Sequence, residues 1–150
     1  MRTSARTRYA LRAAVELAAA PPGPVPAERI AEAQSIPRRF LDNILLQLRR
    51  GGLLHSRRGS DGGYWLTRPA EEITLADVVM IIDGVPEGGG PGEYPGVAGA
   101  LAEVWSALRD HEERLLTEIT LADVARGRVP GREAPSGARP DQGGSARCPA

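Results

Sequence analysis

Residues 36–69 read IPRRFLDNILLQLRRGGLLHSRRGSDGGYWLTRP, and two different periodicities follow one another along them. Apolar residues first recur at the three- and four-residue spacing of an amphipathic helix. They form one stripe of Phe40, Leu41, Ile44, Leu45 and Leu48. Gly51 and Gly52 end that helix, and the strand-like runs LLHSRR and YWLT then flank a glycine-rich turn. The stretch therefore predicts a helix followed directly by a β-hairpin.

Two further helices are predicted ahead of this stretch. Residues 7–20 have apolar positions at helical spacing and are followed by PPGP. A short second helix is predicted from Pro26, which suits a first helical turn, to about Ala33. Helix, short break, helix and hairpin in this order are typical of a winged helix-turn-helix. We therefore predict a mainly α fold with a small β-hairpin, in which residues 1–84 form a winged helix-turn-helix domain with its wing at residues 54–67.

The segment EITLADV occurs twice, at residues 72–78 and 118–124. Each copy places a threonine before an apolar run and an aspartate three positions later, which is the pattern of a capping box at a helix start. Internal duplication and independent use of one capping solution both fit the repeat. We favour the second, because the residues that flank the two copies share nothing.

A long amphipathic helix is predicted before the second copy. Its seam positions alternate four and three residues apart, as in a coiled coil, and are Val97, Leu101, Val104, Leu108, His111 and Leu115. A second copy of the chain is the natural partner for such a helix. We predict a dimerisation helix and a terminal short helix over residues 97–126, with a dimer interface of Leu101, Val104, Trp105, Leu108 and Leu115. Residues 85–96 predict a flexible loop and residues 127–150 a disordered tail, because both are rich in Gly and Pro.

Positive charge is concentrated in the first half of the chain, although the formal net charge is zero. Residues 1–68 hold twelve arginines and five acidic residues, a balance of +7, whereas residues 69–150 hold seven arginines and fourteen acidic residues, a balance of −7. Arginines that merely solubilise a surface are usually mixed with acidic residues. The imbalance therefore favours double-stranded DNA as the partner of the first half.

Other functional classes fit the sequence poorly. The chain has no lysine, which excludes a phosphate-binding loop of the GxxxxGK[ST] type. It has no GxSxG elbow near His55, Ser60 and Asp61, so we do not expect an enzyme. Cys148 is the single cysteine, which leaves no multi-cysteine metal site within one chain. Since the apolar runs are far shorter than the roughly 20 residues of a membrane span and no secretory signal is present, we expect a cytoplasmic protein that does not contact a membrane.

Several motifs together resemble the Rrf2 family of bacterial transcription regulators. They are MRTSARTRYALRA, IPRRFLDNILLQLRRGGLL, SRRGSDGGYWLTRP, EITLADVV and ITLADV, between residue 1 and about residue 126. The resemblance implies a homodimeric winged-helix regulator, which we expect to be a repressor, on a palindromic operator. It also implies DNA contacts by a recognition helix with Arg38, Arg39, Asp42 and Asn43, by a wing with Arg57, Arg58 and Gly59, and by backbone contacts from Arg2, Ser4 and Tyr9.

The chemistry of these residue types suits the implied roles. An aspartate can accept a hydrogen bond from cytosine N4, an asparagine can bridge adenine, and an arginine can donate two bonds to guanine. An arginine at position 58 suits the negative potential of a narrow minor groove. Contacts to phosphates position the protein without reading the sequence.

The chain departs from the family pattern in two places. Sensing members hold an iron–sulfur cluster with three cysteines between the ITLADVV helix and the dimer helix, but here that stretch reads GVPEGGGPGEYPG. We therefore expect no cofactor. At the wing tip, Ser60 and Asp61 replace the usual Pro-Gly; the carboxylate of Asp61 either repels phosphate or caps the turn, and the Asp-Gly step favours the turn.

Two further hypotheses about partners follow from the same residues. A winged-helix module that binds a protein, such as a metabolic enzyme, is the alternative to a DNA-binding regulator. A small-molecule or protein effector that acts through residues 85–96 is also compatible with DNA binding. Retention on heparin separates DNA binding from binding to protein alone, because only the first requires a surface that attracts phosphates.

Overall fold

The computed structural model describes residues 4–84 and 94–129, and the elements in these two ranges are mostly helical. The α-helices are α1 (Ala5–Ala19), α2 (Ala27–Gln34), α3 (Arg38–Arg50), α4 (Leu75–Asp83), α5 (Leu101–Glu118) and α6 (Leu121–Ala125). The strands β1 (Leu54–Arg57) and β2 (Gly63–Leu66) pair antiparallel, and short 3₁₀ turns occupy Ala70–Glu72 and Gly96–Ala100. The predicted mainly α fold with a small β-hairpin is confirmed.

The first helix is tied to α4 at its N-terminus. Ser4 caps α1 by accepting a hydrogen bond from the Thr7 backbone N–H at 3.0 Å. Thr7 is fully buried, and its hydroxyl donates to the Asp83 carboxylate at the end of α4 at 2.5 Å. Since a buried hydroxyl without a partner costs about 1–3 kcal/mol, this bond fixes the start of α1 against the end of α4.

The helix-turn-helix consists of α2 and α3. Pro26 has an extended ψ of 140° and is the N-cap of α2, so the prediction that it lies in the first helical turn is wrong by one residue. Ser35 ends α2 in the left-handed conformation. The chain then turns through Ile36, which is buried and whose N–H donates to the Ala31 carbonyl at 2.9 Å.

One face of α3 is fully inserted into the core. Leu41, Ile44, Leu45 and Leu48 are buried as predicted. Phe40 is not part of that face, because its side chain is 52% exposed. It precedes Leu41 by one residue and is therefore rotated by about 100° around the helix axis, so the predicted apolar stripe is narrower by this residue.

The wing is held to the rest of the domain by a third extended segment. Val25 and Tyr64 exchange two backbone hydrogen bonds of 2.9 Å. A Cβ atom on the neighbouring Gly63 would lie 2.4 Å from the Val25 carbonyl, so this approach requires glycine. Tyr64 packs against the core, while the next residue, Trp65, pairs with His55 at a ring-centroid distance of 5.6 Å. The sequence did not predict the segment at Val25.

The two EITLADV copies lie side by side. Both form complete capping boxes, at Thr74 with Asp77 and at Thr120 with Asp123, as the pattern of each copy predicts. Their backbones also form an antiparallel bridge, in which Leu75 N–H donates to the Ile119 carbonyl at 2.9 Å and Leu121 N–H donates to the Ile73 carbonyl at 2.8 Å. The repeated heptapeptide thus connects the end of α5 to the start of α4.

The long helix begins later than the sequence predicted. Its α-helical part is 18 residues long and starts at Leu101, after the 3₁₀ turn Gly96–Ala100. Gly96 and Gly99 lie in that turn, and glycine is the weakest helix former apart from proline, which explains the shift from residue 97. Of the predicted flexible loop at residues 85–96, residues 85–93 lie outside the described residues, as do residues 130–150 of the predicted tail. None of the helices within residues 4–84 and 94–129 has the length and apolar character needed to span a membrane.

Candidate nucleic-acid interface

The outward face of α3 presents the residues that the sequence predicted to read bases. Because the helix turns by about 100° per residue, burial of its apolar face directs the polar positions to solvent. Arg38, Arg39, Asp42 and Asn43 are all exposed. Arg49 and Arg50 are also exposed and occupy the last turn, where cations interact favourably with the helix dipole. Four arginines therefore share this face with one carboxylate and one amide.

Arg38 is held by two carboxylates near the start of this face. Its Nε donates to Asp42 Oδ1 at 2.8 Å, and its Nη1 lies 3.4 Å from Glu28 Oε1 of α2. The hydrogen bond to Asp42 raises the pKa of Arg38 further above its usual value, with smaller contributions from the charges of Asp42 and Glu28. Exposed pairs of this kind contribute only about 0–1 kcal/mol to stability. The pair therefore orients both side chains and costs little free energy to open.

Aromatic rings connect α3 to α1. The Arg39 guanidinium lies 5.8 Å from the centroid of the Phe40 ring. The centroids of the Phe40 and Tyr9 rings are 6.4 Å apart. Arg12 lies over the other ring of this pair, 5.6 Å from the Tyr9 centroid. Such contacts are worth about 0.5–1 kcal/mol at exposed sites. Tyr9, predicted to contact DNA backbone, is thus also part of the contact between the two helices.

Leu46 is an outward-facing residue that was not predicted from the sequence. It is 37% exposed and lies one turn after Asp42 and Asn43. The signal was present in the spacing, since residues three and four apart share one helix face. An apolar residue at that spacing from two predicted base-reading residues marks the same face.

The wing tip is closed by Arg57. Its Nη2 donates to the Asp61 carbonyl at 2.9 Å, and the Gly62 N–H donates to the Gly59 carbonyl at 3.0 Å. The predicted capping of the turn by the Asp61 carboxylate is not observed among the contacts of the described residues: the backbone carbonyl of Asp61 closes the turn instead. Gly59 has a backbone φ of 108°, a value that residues with a side chain rarely adopt.

Arg58 and Gly59 are exposed beside this closed turn. Within the described residues, the Arg58 guanidinium has no hydrogen bond or ion pair to another protein group. The two neighbouring arginines therefore differ in role: Arg57 shapes the turn and Arg58 extends from it.

The N-terminal residues predicted to contact DNA backbone are placed only in part. Arg2 lies outside the described residues. Ser4 is exposed, but its hydroxyl caps α1 and lies 3.4 Å from Asp83. A phosphate contact by Ser4 therefore has to coexist with, or replace, these bonds within the chain.

The predicted dimer interface is an exposed apolar strip on α5. Leu101, Val104, Trp105, Leu108 and Leu115 are between 37% and 52% exposed, and α5 contains no buried residue. The helix α5 also packs against α4. The strip is thus uncovered in the single chain.

A groove of about 740 Å³ lies away from these residues. The end of α1, the residues after β2 and the end of α6 line it. Arg126 and Glu71, two of its charged residues, form an ion pair of 2.6 Å. Of the described residues that are predicted to contact DNA, none lines this groove.

The chain is similar to known regulators along most of its length. Residues 3–127 match the Rrf2 family, described as an iron-dependent transcriptional regulator. A helix-turn-helix transcriptional regulator of Mycobacterium tuberculosis is 47% identical over 136 residues, which cover 87% of this chain and 84% of the relative. The regulator IscR of Cereibacter sphaeroides is 31% identical over 136 residues, and the match covers 84% of this chain and 88% of IscR.

Solved structures show the same similarity. CymR of Bacillus subtilis, named as its global cysteine regulator, superposes with a TM-score of 0.73 at 30% identity, covering 85% of this chain and 98% of CymR. IscR of T. potens superposes with a TM-score of 0.69 at 29% identity, covering 85% of this chain and 88% of IscR.

The residues of this chain do not fit an iron–sulfur cluster. Cluster irons are held by several cysteine thiolates, and the sequence contains one cysteine, Cys148. Within residues 4–84 and 94–129, no three His, Cys, Asp or Glu side chains are grouped so that they could hold a metal ion. The iron dependence in the family description therefore has no matching set of cluster ligands in this sequence.

Proposed function

Because this chain belongs to the Rrf2 family of DNA-binding transcriptional regulators, we propose that it represses transcription as a homodimer on a palindromic operator, without an iron–sulfur cluster. In this proposal α3 is the recognition helix, which enters the major groove, and Arg58 at the wing tip enters the adjacent minor groove. Arg57 holds the wing turn, and Gly59 lets the backbone approach the DNA.

The outward face of α3 is the observation that carries the proposal. It combines four exposed arginines with Asp42 and Asn43, and these groups can hydrogen-bond to guanine, cytosine and adenine edges and to phosphates. The opposite face of the same helix is buried, so the helix cannot rotate to hide its polar groups. This fixed presentation is what base reading requires.

The apolar strip on α5 supports a homodimer. Its five residues are exposed in the single chain, and a seam with this spacing is complementary to a second copy of itself. A twofold dimer presents two recognition helices in opposite directions, which matches an inverted repeat. We expect the half-site centres to lie about 10 to 10.5 base pairs apart, or a multiple of that.

Titration with salt tests DNA binding directly. A duplex enriched by the full chain from a random library serves as the probe, and affinity is measured by fluorescence anisotropy across salt concentrations. Each neutralised phosphate adds about 0.9 to the slope of log affinity against log salt, so we expect a steep slope and retention on heparin. A chain that neither enriches a sequence nor binds heparin would support the protein-only module instead.

Two further measurements test the finer parts of the proposal. For repression, a reporter is placed behind the enriched site, and transcription should rise when the regulator is removed; a fall would indicate activation. For the absence of a cluster, protein prepared without oxygen should show neither visible absorbance nor stoichiometric iron. Detection of both would contradict a cluster-free regulator.

A further inference from the structure

Leu46 is an apolar residue on an otherwise polar surface. It lies two residues after Ile44 and two before Leu48, both of which are buried. Two residues correspond to a rotation of about 200°, so Leu46 points away from the core that holds its neighbours. Its exposure is therefore set by the position of α3 in the fold and not by fraying of the helix end.

The surroundings of Leu46 on α3 are the residues predicted to read bases. Asp42 and Asn43 precede it by four and three residues, and Arg49 and Arg50 follow it by three and four. These are the spacings at which helical side chains are neighbours on the surface. Leu46 is thus enclosed by hydrogen-bonding groups on both sides along the helix.

We propose that Leu46 reads the 5-methyl group of a thymine in the major groove, as a specificity-determining residue of the recognition helix. The inference rests on the proposed DNA-binding function. The major-groove edges of the bases present hydrogen-bond donors and acceptors, and thymine adds a projecting methyl group that the other bases lack. Contact between this leucine and a thymine methyl would bury apolar surface on both groups, which is favourable. Contact with the donors and acceptors of the other base edges would bury polar groups without partners, which costs free energy.

A single exposed leucine is common on protein surfaces, so the test has to detect the methyl group itself. Replacing thymine by deoxyuridine removes only that methyl and keeps the base pair. The full chain first enriches its site from random duplexes, and each thymine of one half-site is then changed singly to deoxyuridine. Affinities are measured for the wild type and for Leu46→Ala, with Leu46→Met as the matched variant that keeps an apolar side chain of similar reach.

At one thymine per half-site, deoxyuridine should weaken wild-type binding about fourfold, which corresponds to the burial of one methyl group at about 0.8 kcal/mol. The same replacement should leave binding by Leu46→Ala unchanged, while Leu46→Met should retain most of the effect. Deoxyuridine at the other thymines should affect all three proteins equally. Thermal melting and low-salt binding to random DNA verify that Leu46→Ala is folded.

An enriched site at which every deoxyuridine replacement has the same effect on the wild type and Leu46→Ala would overturn the role of Leu46 while leaving the regulator proposal intact. An enriched half-site without thymine would do the same. Failure to enrich any sequence would contradict the proposed function and, with it, the reading role of Leu46.

Discussion

At the scale of single residues, the candidate interface contains side chains that the protein itself positions. Arg38 is held by Asp42 and Glu28, and Arg57 is held by the Asp61 carbonyl. Ordering a long side chain costs up to about 2 kcal/mol of conformational entropy, so these contacts reduce the cost of ordering on binding. Arg58, in contrast, has no such partner among the described residues, and in the proposed complex its partner is DNA.

Replacing Arg58 by alanine should therefore weaken operator binding by about 1–3 kcal/mol and relax the preference at the minor-groove position. Since the Arg58 guanidinium makes no hydrogen bond or ion pair within the described residues, the stability of the protein should not change. Gel-shift titrations measure the loss of affinity on the enriched site, and titrations on duplexes with altered base pairs at the wing contact measure the change in sequence preference.

Arg128→Ala is the matched control for this prediction, because it removes the same charge beyond α6, outside the winged helix-turn-helix. Equal affinity and equal sequence preference for wild type and Arg58→Ala would remove the wing arginine from the reading mechanism. An equal loss in Arg58→Ala and Arg128→Ala would indicate a general charge effect.

The residue types of the site could be predicted from the sequence because the α3 stripe determines which positions face outward. Phe40 could not be assigned in the same way, since an apolar side chain at the edge of a stripe is buried or exposed according to what packs beside it. Phe40 meets Tyr9 of α1 at 6.4 Å, a contact between residues far apart in sequence.

At the scale of secondary-structure elements, the wing depends on its backbone contact with the segment between α1 and α2. The paired hydrogen bonds of Val25 and Tyr64 join elements on either side of the helix-turn-helix. The wing is thus positioned from two directions: by the three residues that link α3 to β1 and by this bridge.

Gly63→Ala should break that bridge, because the new Cβ would lie 2.4 Å from the Val25 backbone. We expect a loss of about 1–3 kcal/mol in the free energy of unfolding, as for other overpacked sites, measured by urea denaturation. Gly99→Ala is the control, since its Cβ would be at an ordinary 3.8 Å from the nearest atom. Comparable stability of the two variants would show that the wing does not need this close approach.

The second copy of EITLADV gives an acid-sensitive contact at the end of α5. Hydrogen bonds from the Thr120 backbone N–H and then from its hydroxyl lower the pKa of Asp123, with smaller contributions from Arg128 and Arg126. A carboxyl whose pKa is lower in the folded state contributes stability that is present above its unfolded pKa, about 3.9. That stability is lost as the pH falls through the folded pKa.

Asp123→Asn should consequently lose less thermal stability than the wild type when the pH is lowered from about 5 to about 3. Melting temperatures at a series of pH values measure the difference. Asp110→Asn on α5 is the control and should follow the wild-type pH dependence, because Asp110 belongs to neither capping box. Parallel curves for wild type and Asp123→Asn would exclude a role for this box in acid sensitivity.

At the scale of the whole molecule, charge and apolar surface are divided between two parts of the chain. The excess of arginine lies in residues 1–68, whereas the exposed apolar strip lies on α5. The bridge between the EITLADV copies attaches α5 to α4, and α4 in turn packs on α1. Dimerisation through α5 would therefore set the relative positions of the two recognition helices through these contacts.

Leu108→Asp should convert the proposed homodimer to a monomer, because it places a carboxylate in the centre of the strip. Leu108 is 52% exposed, so the fold of the single chain should be retained. A monomer binds one half-site without being linked to the other, so operator binding should weaken by roughly 10²-fold or more. Light scattering after size-exclusion chromatography and anisotropy titrations measure the two effects.

Arg114→Asp introduces a carboxylate at an exposed position of α5 outside the strip and serves as the control. A dimer that persists in Leu108→Asp would rule out the strip as the interface. A monomer that retains full operator affinity would show that the two half-sites are read independently.

The sequence by itself determined the elements of this protein: the stripe of α3, the capping boxes of α4 and α6, and the glycine turn of the wing. Each depends on residues within a few positions of one another, so local spacing and backbone preferences are sufficient to predict them. Only the tertiary structure decided that Val25 pairs with Tyr64, that the two EITLADV copies lie side by side, and that Thr7 bonds to Asp83. These contacts join residues 39 to 76 positions apart, and the groups involved have no periodicity that identifies their partners. Packing of the helices around one core brings them together and leaves Leu46 in the middle of the outward face of α3.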